Sequence, residues 1–258
     1  MQRLLDRLFY PLCSLNYLYT CPVCGKRVKD FLYLSDYFTK NLRRYGHPYG
    51  LEDYETLNFS QYGCPHCGAT DRDRLYALYF VKKLILLPKD KTVSILDIAP
   101  SPLRPVLLKE KRVRYRCADL LRSDVDDNVD VMDMHIYEDN SFDVFICSHV
   151  LEHVEDDKIA LSELFRILKP GGWGILMVPI NLVNTIVDED PTIKDAAERW
   201  RRFGQFDHIR LYSKQGFVQR VKETGFLVYQ LGIDFFGNAT FQRNGISPKS
   251  VLYVVEKR

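Results

Sequence analysis

Residues 141–179 contain the pattern that most restricts the fold of this chain: two short apolar runs separated by an amphipathic segment. Phe142–Cys147 and Ile175–Val178 have the β-branched and aromatic composition of buried strands. Between them, apolar residues recur at helical spacing from Ile159 to Leu168, and charged residues occupy the opposite face. A strand, a helix and a strand of these lengths predict a βαβ unit of a parallel sheet.

The loop after the first of these strands, Ser148–Val154, reads SHVLEHV. Ligands of an open parallel sheet bind outside the carboxyl ends of the strands, so this loop is a candidate binding site. With the helix that ends RILKPGG and the strand that ends in proline, it resembles the fourth strand and following helix of a class I S-adenosylmethionine (SAM)-dependent methyltransferase. The resemblance implies an α/β fold with a Rossmann-like, doubly wound, seven-stranded sheet.

Four of the seven cysteines lie in two CPxCG motifs, Cys21–Gly25 and Cys64–Gly68. Two thiolates from each motif can complete a tetrahedral four-sulfur site, which suits zinc. We therefore predict a small zinc-ribbon-like module with a structural zinc ion. Reduced, unliganded thiols or a redox pair are the alternatives, and repetition of the whole motif argues against both. The predicted ligands are Cys21, Cys24, Cys64 and Cys67.

Composition and charge point to a soluble protein without an obvious polyanionic partner. The hydrophobic content of 46% is ordinary for a globular chain, and the net charge of +2 gives no strong argument for RNA or an anionic membrane. No apolar run has the length of a membrane span, and no cleavage-site pattern follows the apolar N-terminus. We predict a cytoplasmic protein with an amphipathic helix over Gln2–Tyr10. The predicted segments are the N-terminal segment 1–20, the zinc-ribbon-like module 21–70, a connecting helix in 71–91 and a methyltransferase domain over 92–258.

The first strand of the predicted domain, Thr92–Ile98, leads into the loop expected to approach SAM. In class I methyltransferases this strand ends in an acid and a glycine-rich loop. Here the acid is Asp97, but the loop Ala99–Leu103 contains no glycine. Proline would fix the backbone conformation that glycine leaves free, and loss of SAM binding is the alternative.

The next two strands are predicted to end in further cofactor contacts. Asp119, at the tip of the second strand, is the candidate for the ribose diol. The third strand is predicted over Val129–Met132; by the resemblance, Asp133 accepts from the adenine amino group and Met134 contacts the ring. The full predicted cofactor set is Asp97, Ala99, Pro100, Asp119, Leu120, Asp133, Met134, Ser148 and His149.

Residues 198–213, ERWRRFGQFDHIRLYS, lie where the class I fold covers its active site. His208 is predicted as the general base, because imidazole titrates near neutral pH, with Asp207 or a nearby acid to orient it. Holding the acceptor is the alternative role for His208. Guanidinium groups in this segment suggest an acceptor that bears phosphate or carboxylate. The predicted acceptor-side residues are Arg199, Gln205, Arg210 and Tyr212.

Taken together, these patterns predict a SAM-dependent methyltransferase that modifies an oxygen or nitrogen of a small-molecule or glycan-type acceptor. One alternative is an rRNA or tRNA methyltransferase whose zinc module binds RNA; the near-neutral charge counts against it. The arginines that favour RNA are Arg43, Arg44, Arg72 and Arg74. The other alternative, a catalytically silent methyltransferase-like binding protein, is supported by the glycine-free loop.

Overall fold

The computed structural model describes residues 18–86, 88 and 90–258. The helix predicted over Gln2–Tyr10 lies outside these residues. None of the helices in the described part of the chain has the length and apolar character that crossing a membrane requires.

The segment around the four cysteines contains short elements joined by turns. These are β1 (Tyr19–Thr20), β2 (Arg27–Val28), α1 (Asp36–Arg44) and two 3₁₀ helices (Leu51–Asp53 and Phe59–Gln61). β1 and β2 pair in antiparallel fashion. The side chain of Ser35 accepts a hydrogen bond from the Tyr37 N–H, which caps the start of α1.

Helix α2 (Asp71–Leu86) connects this segment to the sheet, as the sequence predicts. Its start is fixed by a carboxylate of the first turn: Asp73 Oδ2 accepts from both the N–H and the hydroxyl of Thr70, each at 2.7 Å. Farther along, Tyr79 and Phe80 pack against Trp173 with ring centroids 5.1 and 5.2 Å apart. The helix is therefore buried against the sheet rather than exposed as a linker.

The rest of the chain largely alternates strands and helices. In order, the elements are β3 (Val93–Ile98), α3 (Arg104–Leu107), β4 (Val113–Asp119), β5 (Asp127–Asn128), β6 (Phe142–Ser148), α4 (Asp157–Ile167), β7 (Leu168–Met177), β8 (Ile180–Asn181), β9 (Asp188–Glu189), α5 (Ala196–Phe203), β10 (Arg210–Ser213), α6 (Lys214–Glu223), β11 (Leu227–Leu231), α7 (Ile233–Phe236), α8 (Asn238–Arg243) and β12 (Leu252–Glu256).

Seven strands form one sheet in the order β11-β12-β7-β6-β3-β4-β5. Strand β12 runs antiparallel to both of its neighbours, and the other adjacent pairs are parallel. From β3 the chain adds β4 on one side and later β6 on the other, so the strand order reverses at the β3–β6 pair. The predicted Rossmann-like, doubly wound, seven-stranded sheet is confirmed.

The third strand is displaced from its predicted position. β5 covers only Asp127–Asn128, whereas the apolar run Val129–Met132 forms a turn with two buried valines. The Asp130 side chain accepts from the Met132 N–H at 2.8 Å, and its carbonyl accepts from the Asp133 N–H at 2.9 Å. This local turn satisfies the backbone groups that strand pairing would otherwise use.

The βαβ unit forms as predicted, with two local differences. Helix α4 ends at Ile167, and strand β7 begins at once with Leu168. Ile159, counted among the inward positions, is half-exposed. The Gly171 N–H donates to the Lys257 carbonyl at 2.7 Å, and this contact with the chain end extends β7 toward the helix.

Candidate functional site

The two central strands of the sheet end in the same unusual way. Ala99 directly follows β3 and His149 directly follows β6, and both adopt left-handed backbone conformations, with φ of 53° and 58°. The Ala99 N–H still bonds to the Ala118 carbonyl, and the His149 N–H to the Met177 carbonyl, before the chain turns away. Ala99 thus has the backbone conformation that glycine adopts readily. Both turns lie where the strand order reverses, which is the ligand-binding position of doubly wound sheets.

Asp97 lies buried beneath the first of these turns. Its Oδ2 accepts a hydrogen bond from the Tyr115 hydroxyl at 2.8 Å, whereas Oδ1 has no partner among the described residues. Burial raises the pKa of Asp97 to about 7, although the bond from Tyr115 opposes the shift. The carboxyl group is therefore near its titration midpoint at neutral pH.

Asp119 ends β4 and folds the following loop around its side chain. Its Oδ1 accepts from the N–H groups of Leu121 and Arg122, at 2.8 and 3.0 Å. The Arg122 guanidinium then reaches the Pro100 carbonyl, at 2.9 Å. Leu120 is exposed beside it. The loops after β3 and β4 are thus joined, and four of the predicted cofactor residues lie in them: Ala99, Pro100, Asp119 and Leu120.

The remaining predicted cofactor residues have mixed surroundings. Asp133 is exposed, and its Oδ1 lies 2.9 Å from His135 Nδ1. Met134 is fully buried, and its N–H donates to Glu163 Oε2 at 2.8 Å. Ser148 Oγ and the Tyr76 hydroxyl are 2.7 Å apart, which ties the end of β6 to helix α2. No contact joins Asp133 to Asp97 or Asp119 in the described part of the chain, so their common cofactor role stays a prediction.

A pocket of about 250 Å³ opens beside the turn after β6. One wall comes from the insert between the two CPxCG motifs, including Phe38, Tyr54 and Tyr62. The opposite wall contains His149 and Pro179, at the ends of β6 and β7. The module and the sheet therefore enclose this space together.

The insert is held against the main sheet by a buried carboxylate. Glu55 Oε2 accepts from the Tyr253 hydroxyl at 2.7 Å, and Oε1 pairs with Lys214 Nζ at 2.6 Å. The Glu55 N–H also donates to the Ile180 carbonyl. The insert thus contacts the main sheet and the start of α6.

Helix α1 adds an aromatic contact to the segment that follows β9. The Tyr45 ring stacks on Trp200 of α5 at 6.1 Å between centroids, with an interplanar angle of 11°. Beside it, the His47 Nδ1–H donates to the Arg201 carbonyl at 3.0 Å, which leaves Nε2 to accept from the Tyr54 hydroxyl at 2.9 Å. His47 therefore positions Tyr54, which lines the pocket.

Glu152 is the most deeply buried charged group in the pocket lining, with no exposed surface. Its Oε1 lies 2.9 Å from His149 Nδ1, yet neither carboxylate oxygen accepts a well-aligned hydrogen bond within the described chain. Burial opposes ionisation of Glu152, but the imidazoles of His149, His153 and His208 outweigh it and lower its pKa to about 2. A negative charge is thus held at the floor of the pocket.

His208 lies against His153, with ring centroids 4.8 Å apart, and only 6% of its surface is exposed. Its Nδ1 has no hydrogen-bond partner in the described part of the chain. Burial lowers the pKa of His208 to about 4, so the imidazole is neutral at pH 7. Ligand atoms of Glu152, His153 and His208 all lie within 4.8 Å of one another.

The prediction allows Asp207 or a nearby acid to orient His208, and Asp207 makes no hydrogen bond to His208 in the described part of the chain. Its Oδ2 lies 3.5 Å from His153 Nδ1, and its Oδ1 accepts from Gln205 Nε2 at 2.8 Å. The acid beside His208 is instead Glu152, which comes from the other side of the pocket. Asp207 is a neighbour of the cluster rather than its centre.

Arg210 and Tyr212 are buried and do not line this pocket, so their contact with the acceptor stays a prediction that the structure does not support. Arg210 is 2% exposed, and its guanidinium donates to three carbonyls of the loop after β6. The Tyr212 hydroxyl donates to the buried Asp157. Their polar groups are satisfied by partners within the fold, which is why they can be buried. The three carbonyls belong to Leu151, Val154 and Glu155.

The other two predicted acceptor-side residues differ from each other. Gln205 lines the pocket. Arg199 does not line the pocket, and its Nε donates to the Ile193 carbonyl, just before α5, at 2.8 Å. Of the four predicted acceptor-side residues, Gln205 alone lines the pocket.

The four predicted zinc ligands come together. Cys21 Sγ lies 3.8 Å from Cys67 Sγ, and Cys24 Sγ lies 3.9 Å from Cys64 Sγ. A tetrahedral zinc ion with Zn–S bonds of about 2.3 Å requires sulfur atoms about 3.8 Å apart, so the spacing fits. Each knuckle closes on a left-handed glycine, with φ of 70° at Gly25 and 73° at Gly68.

Arg74, considered as an anion-binding residue, is fully buried instead. Its guanidinium lies 3.7 Å from the centroid of the Phe31 ring and donates to five backbone carbonyls. The carbonyls are those of Gln61, Tyr62, Ala69, Asn244 and Gly245. Arg74 therefore fastens the cysteine module to the C-terminal helices.

Comparison with known families bears on the central part of this structure. The sequence model of a family described as a methyltransferase domain matches residues 84–176, from the end of α2 through most of β7. Residues 84–176 therefore resemble a methyltransferase domain in sequence. No curated protein matches the chain by sequence. The resemblance to class I methyltransferases is thus confirmed for the segment that contains β3, β4, β5, β6 and most of β7.

Solved methyltransferase structures resemble the chain at low identity. A CurJ carbon methyltransferase is 17% identical with a TM-score of 0.44; the match covers 69% of this chain and 53% of that one, so this chain spans about half of its length. A SAM-dependent methyltransferase from Mesorhizobium loti is 14% identical over 70% and 98% of the two chains, with a TM-score of 0.44. A chain from the complex of the Haloferax volcanii Trm112 methyltransferase activator with a methyltransferase is 16% identical. The match covers 72% of this chain and 92% of that one, with a TM-score of 0.43.

Within the methyltransferase domain, the structure adds one residue that sequence reasoning missed. Glu152 stands beside His153 in the SHVLEHV loop but was not among the predicted site residues. An acid adjacent to a histidine at the carboxyl end of a central strand is the signal that was available. Its importance becomes clear only when His208 is placed next to it.

Proposed function

We propose that this protein is a SAM-dependent methyltransferase whose acceptor binds in the pocket between the cysteine module and the sheet. The observation that carries the proposal is the pair of left-handed turns at Ala99 and His149, at the strand-order reversal of a methyltransferase domain. The turn at Ala99 begins the predicted cofactor loop, and the turn at His149 lines the pocket. A donor and an acceptor would meet between them.

The chain offers groups that fit SAM. Asp97 Oδ1 is buried without a partner, so it can accept from a donor such as the ammonium group of the cofactor. Asp119 uses Oδ1 for its turn, and we propose Oδ2 for the ribose diol. Ala99 supplies the left-handed backbone that a glycine loop would otherwise supply, which favours intact binding over a silent protein.

SAM supplies an electrophilic methyl group, and the protein must place the acceptor atom in line with it. The pocket excludes water from that atom with the aromatic wall of Phe38, Tyr54 and Tyr62. His208, held neutral by burial, can accept a proton from an oxygen or nitrogen acceptor. A base whose conjugate acid has a pKa of about 4 is weak at pH 7, so His208 needs help from its neighbours.

The acceptor class we favour is a small molecule or a glycan-type unit. A pocket of about 250 Å³ with a mixed polar and aromatic lining suits part of such a molecule. Two of the four arginines that favoured RNA are engaged internally: Arg74 holds carbonyls, and Arg72 bonds to His149. Only Arg43 and Arg44 remain exposed, which weakens the RNA alternative.

We propose a structural zinc ion on the four cysteines, since their sulfur spacing fits a tetrahedral site. The insert between the two cysteine motifs forms one wall of the pocket. The zinc ion would therefore affect acceptor binding indirectly, by holding the module in its folded shape. We place the reaction in the cytoplasm, because the four thiols need a reducing compartment.

The test is calorimetric titration with S-adenosylhomocysteine. We expect binding by the wild type that is strongly weakened in Asp119→Ala. The control is Asp234→Ala, which removes an exposed acid from helix α7, away from this loop, and should bind normally. Absence of wild-type binding would overturn the proposal. Equal binding by all three proteins would remove Asp119 from the cofactor site.

A further inference from the structure

We propose that Glu152, His153 and His208 bind a divalent transition-metal ion, distinct from the ion of the four-cysteine cluster. Two imidazoles and one carboxylate converge at the floor of the pocket, with their ligand atoms within 4.8 Å of one another. The same ligand set serves both catalytic zinc and non-haem iron(II) in proteins.

The geometry requires little movement. Metal bonds to nitrogen and oxygen of about 2.1 Å place tetrahedral ligands about 3.4 Å apart, so each atom moves inward by about 1 Å or less. Such a shift is within reach of side-chain rotation. The backbones on both sides of the site are already joined, because the Ile209 N–H donates to the Glu152 carbonyl at 3.0 Å.

Unpaired buried atoms are the second observation. Glu152 Oε2 and His208 Nδ1 are buried without hydrogen-bond partners in the described part of the chain, and Glu152 Oε1 has only the ion-pair contact with His149 Nδ1 at 2.9 Å. A buried carboxylate oxygen without a partner is costly, and a metal ion is one of the groups that satisfies it. Unsatisfied atoms on two of the three clustered residues therefore favour a bound cation over independent defects.

The surroundings of the cluster hold it in place. Arg210 donates to carbonyls on both sides of Glu152 and so fixes the loop that carries two of the ligands. His149 Nδ1 lies 2.9 Å from Glu152 Oε1, where it can orient the carboxylate. Residues around metal ligands commonly have this positioning role.

The ion would retain an open position. Three protein ligands do not complete a tetrahedral or octahedral shell, and His153, whose side chain is 32% exposed, borders the pocket. This step rests on the proposed function: an acceptor oxygen bound at that position would lose its proton more easily, because a metal ion lowers the pKa of a bound hydroxyl. With the ion bound, His208 would act as a ligand rather than as the base, and the ion would take over activation of the acceptor.

The first experiment measures bound zinc after equilibration of the full chain with zinc chloride and removal of free metal. We expect two ions per wild-type chain, and one in His208→Ala and in Glu152→Gln. Loss of the cysteine-bound ion in Cys21→Ser should likewise leave one. His135→Ala removes an exposed imidazole elsewhere and should retain two.

The ion on the cysteines serves as an internal check of folding in the pocket variants. If the wild type binds one ion, or if both pocket variants keep two, the inference is overturned. Protein prepared with cobalt(II) in place of zinc then tests the open position: azide should change the visible absorption of the wild-type cobalt protein, and should leave that of Glu152→Gln unchanged. An unchanged wild-type spectrum would contradict an open position.

Failure of this inference is separable from failure of the proposed function. Binding of S-adenosylhomocysteine with one zinc per chain would leave the methyltransferase proposal standing without the pocket metal. Two zinc ions without cofactor binding would leave the metal site and remove the methyltransferase proposal.

Discussion

Arg72 Nη1 lies 2.7 Å from His149 Nε2, and this hydrogen bond joins the helix after the cysteine module to the turn after β6. A guanidinium group only donates, so Nε2 accepts and the imidazole proton resides on Nδ1. Nδ1 faces Glu152 Oε1 at 2.9 Å. Arg72 thereby sets the tautomer of His149 and, through it, the orientation of Glu152.

Replacement of Arg72 by Met should raise the pKa of His149. Burial lowers this pKa first, and the positive charge of Arg72 lowers it further. Removing the charge leaves burial and His153, which lower the pKa, opposed by Glu152, which raises it, so the pKa should move toward its ordinary value. NMR titration of the histidine C–H signals checks this, with exposed Arg43→Met as the control. An unaltered His149 titration in Arg72→Met would show that the contact does not exist in solution.

Replacement of Arg74 by Met should lower the free energy of unfolding by at least about 3 kcal/mol, because five buried carbonyls lose their donor. Urea denaturation measures the change. The exposed Arg44→Met variant should stay within about 0.5 kcal/mol of the wild type. Similar losses in the two variants would mean that Arg74 does not fasten the module.

Asp97→Asn should change the pH dependence of stability in a defined direction. Burial raises the pKa of Asp97 from 3.8 to about 7, so the unfolded chain releases this proton at lower pH than the folded protein. The wild type therefore loses stability relative to Asp97→Asn between about pH 4 and 7, by up to about 4 kcal/mol, and the difference levels off above pH 7. Urea denaturation of both proteins from pH 4 to 8 tests this. A pH-independent difference would show that Asp97 has an ordinary pKa.

Ala99→Gly should stabilise the protein by about 0.5–1 kcal/mol. A left-handed conformation strains an L-residue more than the added flexibility of glycine costs. Ala77→Gly, in the middle of α2, provides the contrast and should destabilise by about 1 kcal/mol or more. Thermal or urea unfolding compares them. Destabilisation by both substitutions would show that the turn after β3 is not left-handed in solution.

Cys21→Ser should abolish the zinc that a thiol-reactive mercurial releases from the protein. Loss of one thiolate leaves an incomplete tetrahedral set, and the fit of the four sulfur atoms no longer holds. Cys117→Ala, at a cysteine outside the cluster, should retain the releasable zinc. Undiminished release from Cys21→Ser would exclude the four-cysteine site.

The features that the sequence predicted well are those with local signals. The cysteine cluster follows from a repeated motif, and helix α2 and the strands of the βαβ unit follow from periodicity. The displaced third strand shows the limit: Val129 and Val131 are as apolar as strand residues, but a turn at Asp130 buries them.

The site was harder to predict because its residues acquire their roles from distant partners. Arg210 and Tyr212 look like binding residues in a polar motif, yet Leu151 and Asp157, far back in the chain, satisfy them inside the fold. Glu152 is the opposite case: its sequence position does not mark it as a site residue, and only the fold places it beside His208. Such roles depend on tertiary contacts that one stretch of sequence does not encode.

The attachment of the insert through Glu55 has a consequence for how this protein can diversify. Because the insert forms one wall of the pocket while its ends are fixed by the two cysteine knuckles, its sequence can change without disturbing the strands beneath. The ends of β6 and β7 thus form one side of the pocket, and the insert forms a separate wall that can change in sequence. A version whose insert alone is replaced, with helix α2 kept on the sheet, would retain the floor of the pocket and change the wall that contains Phe38, Tyr54 and Tyr62.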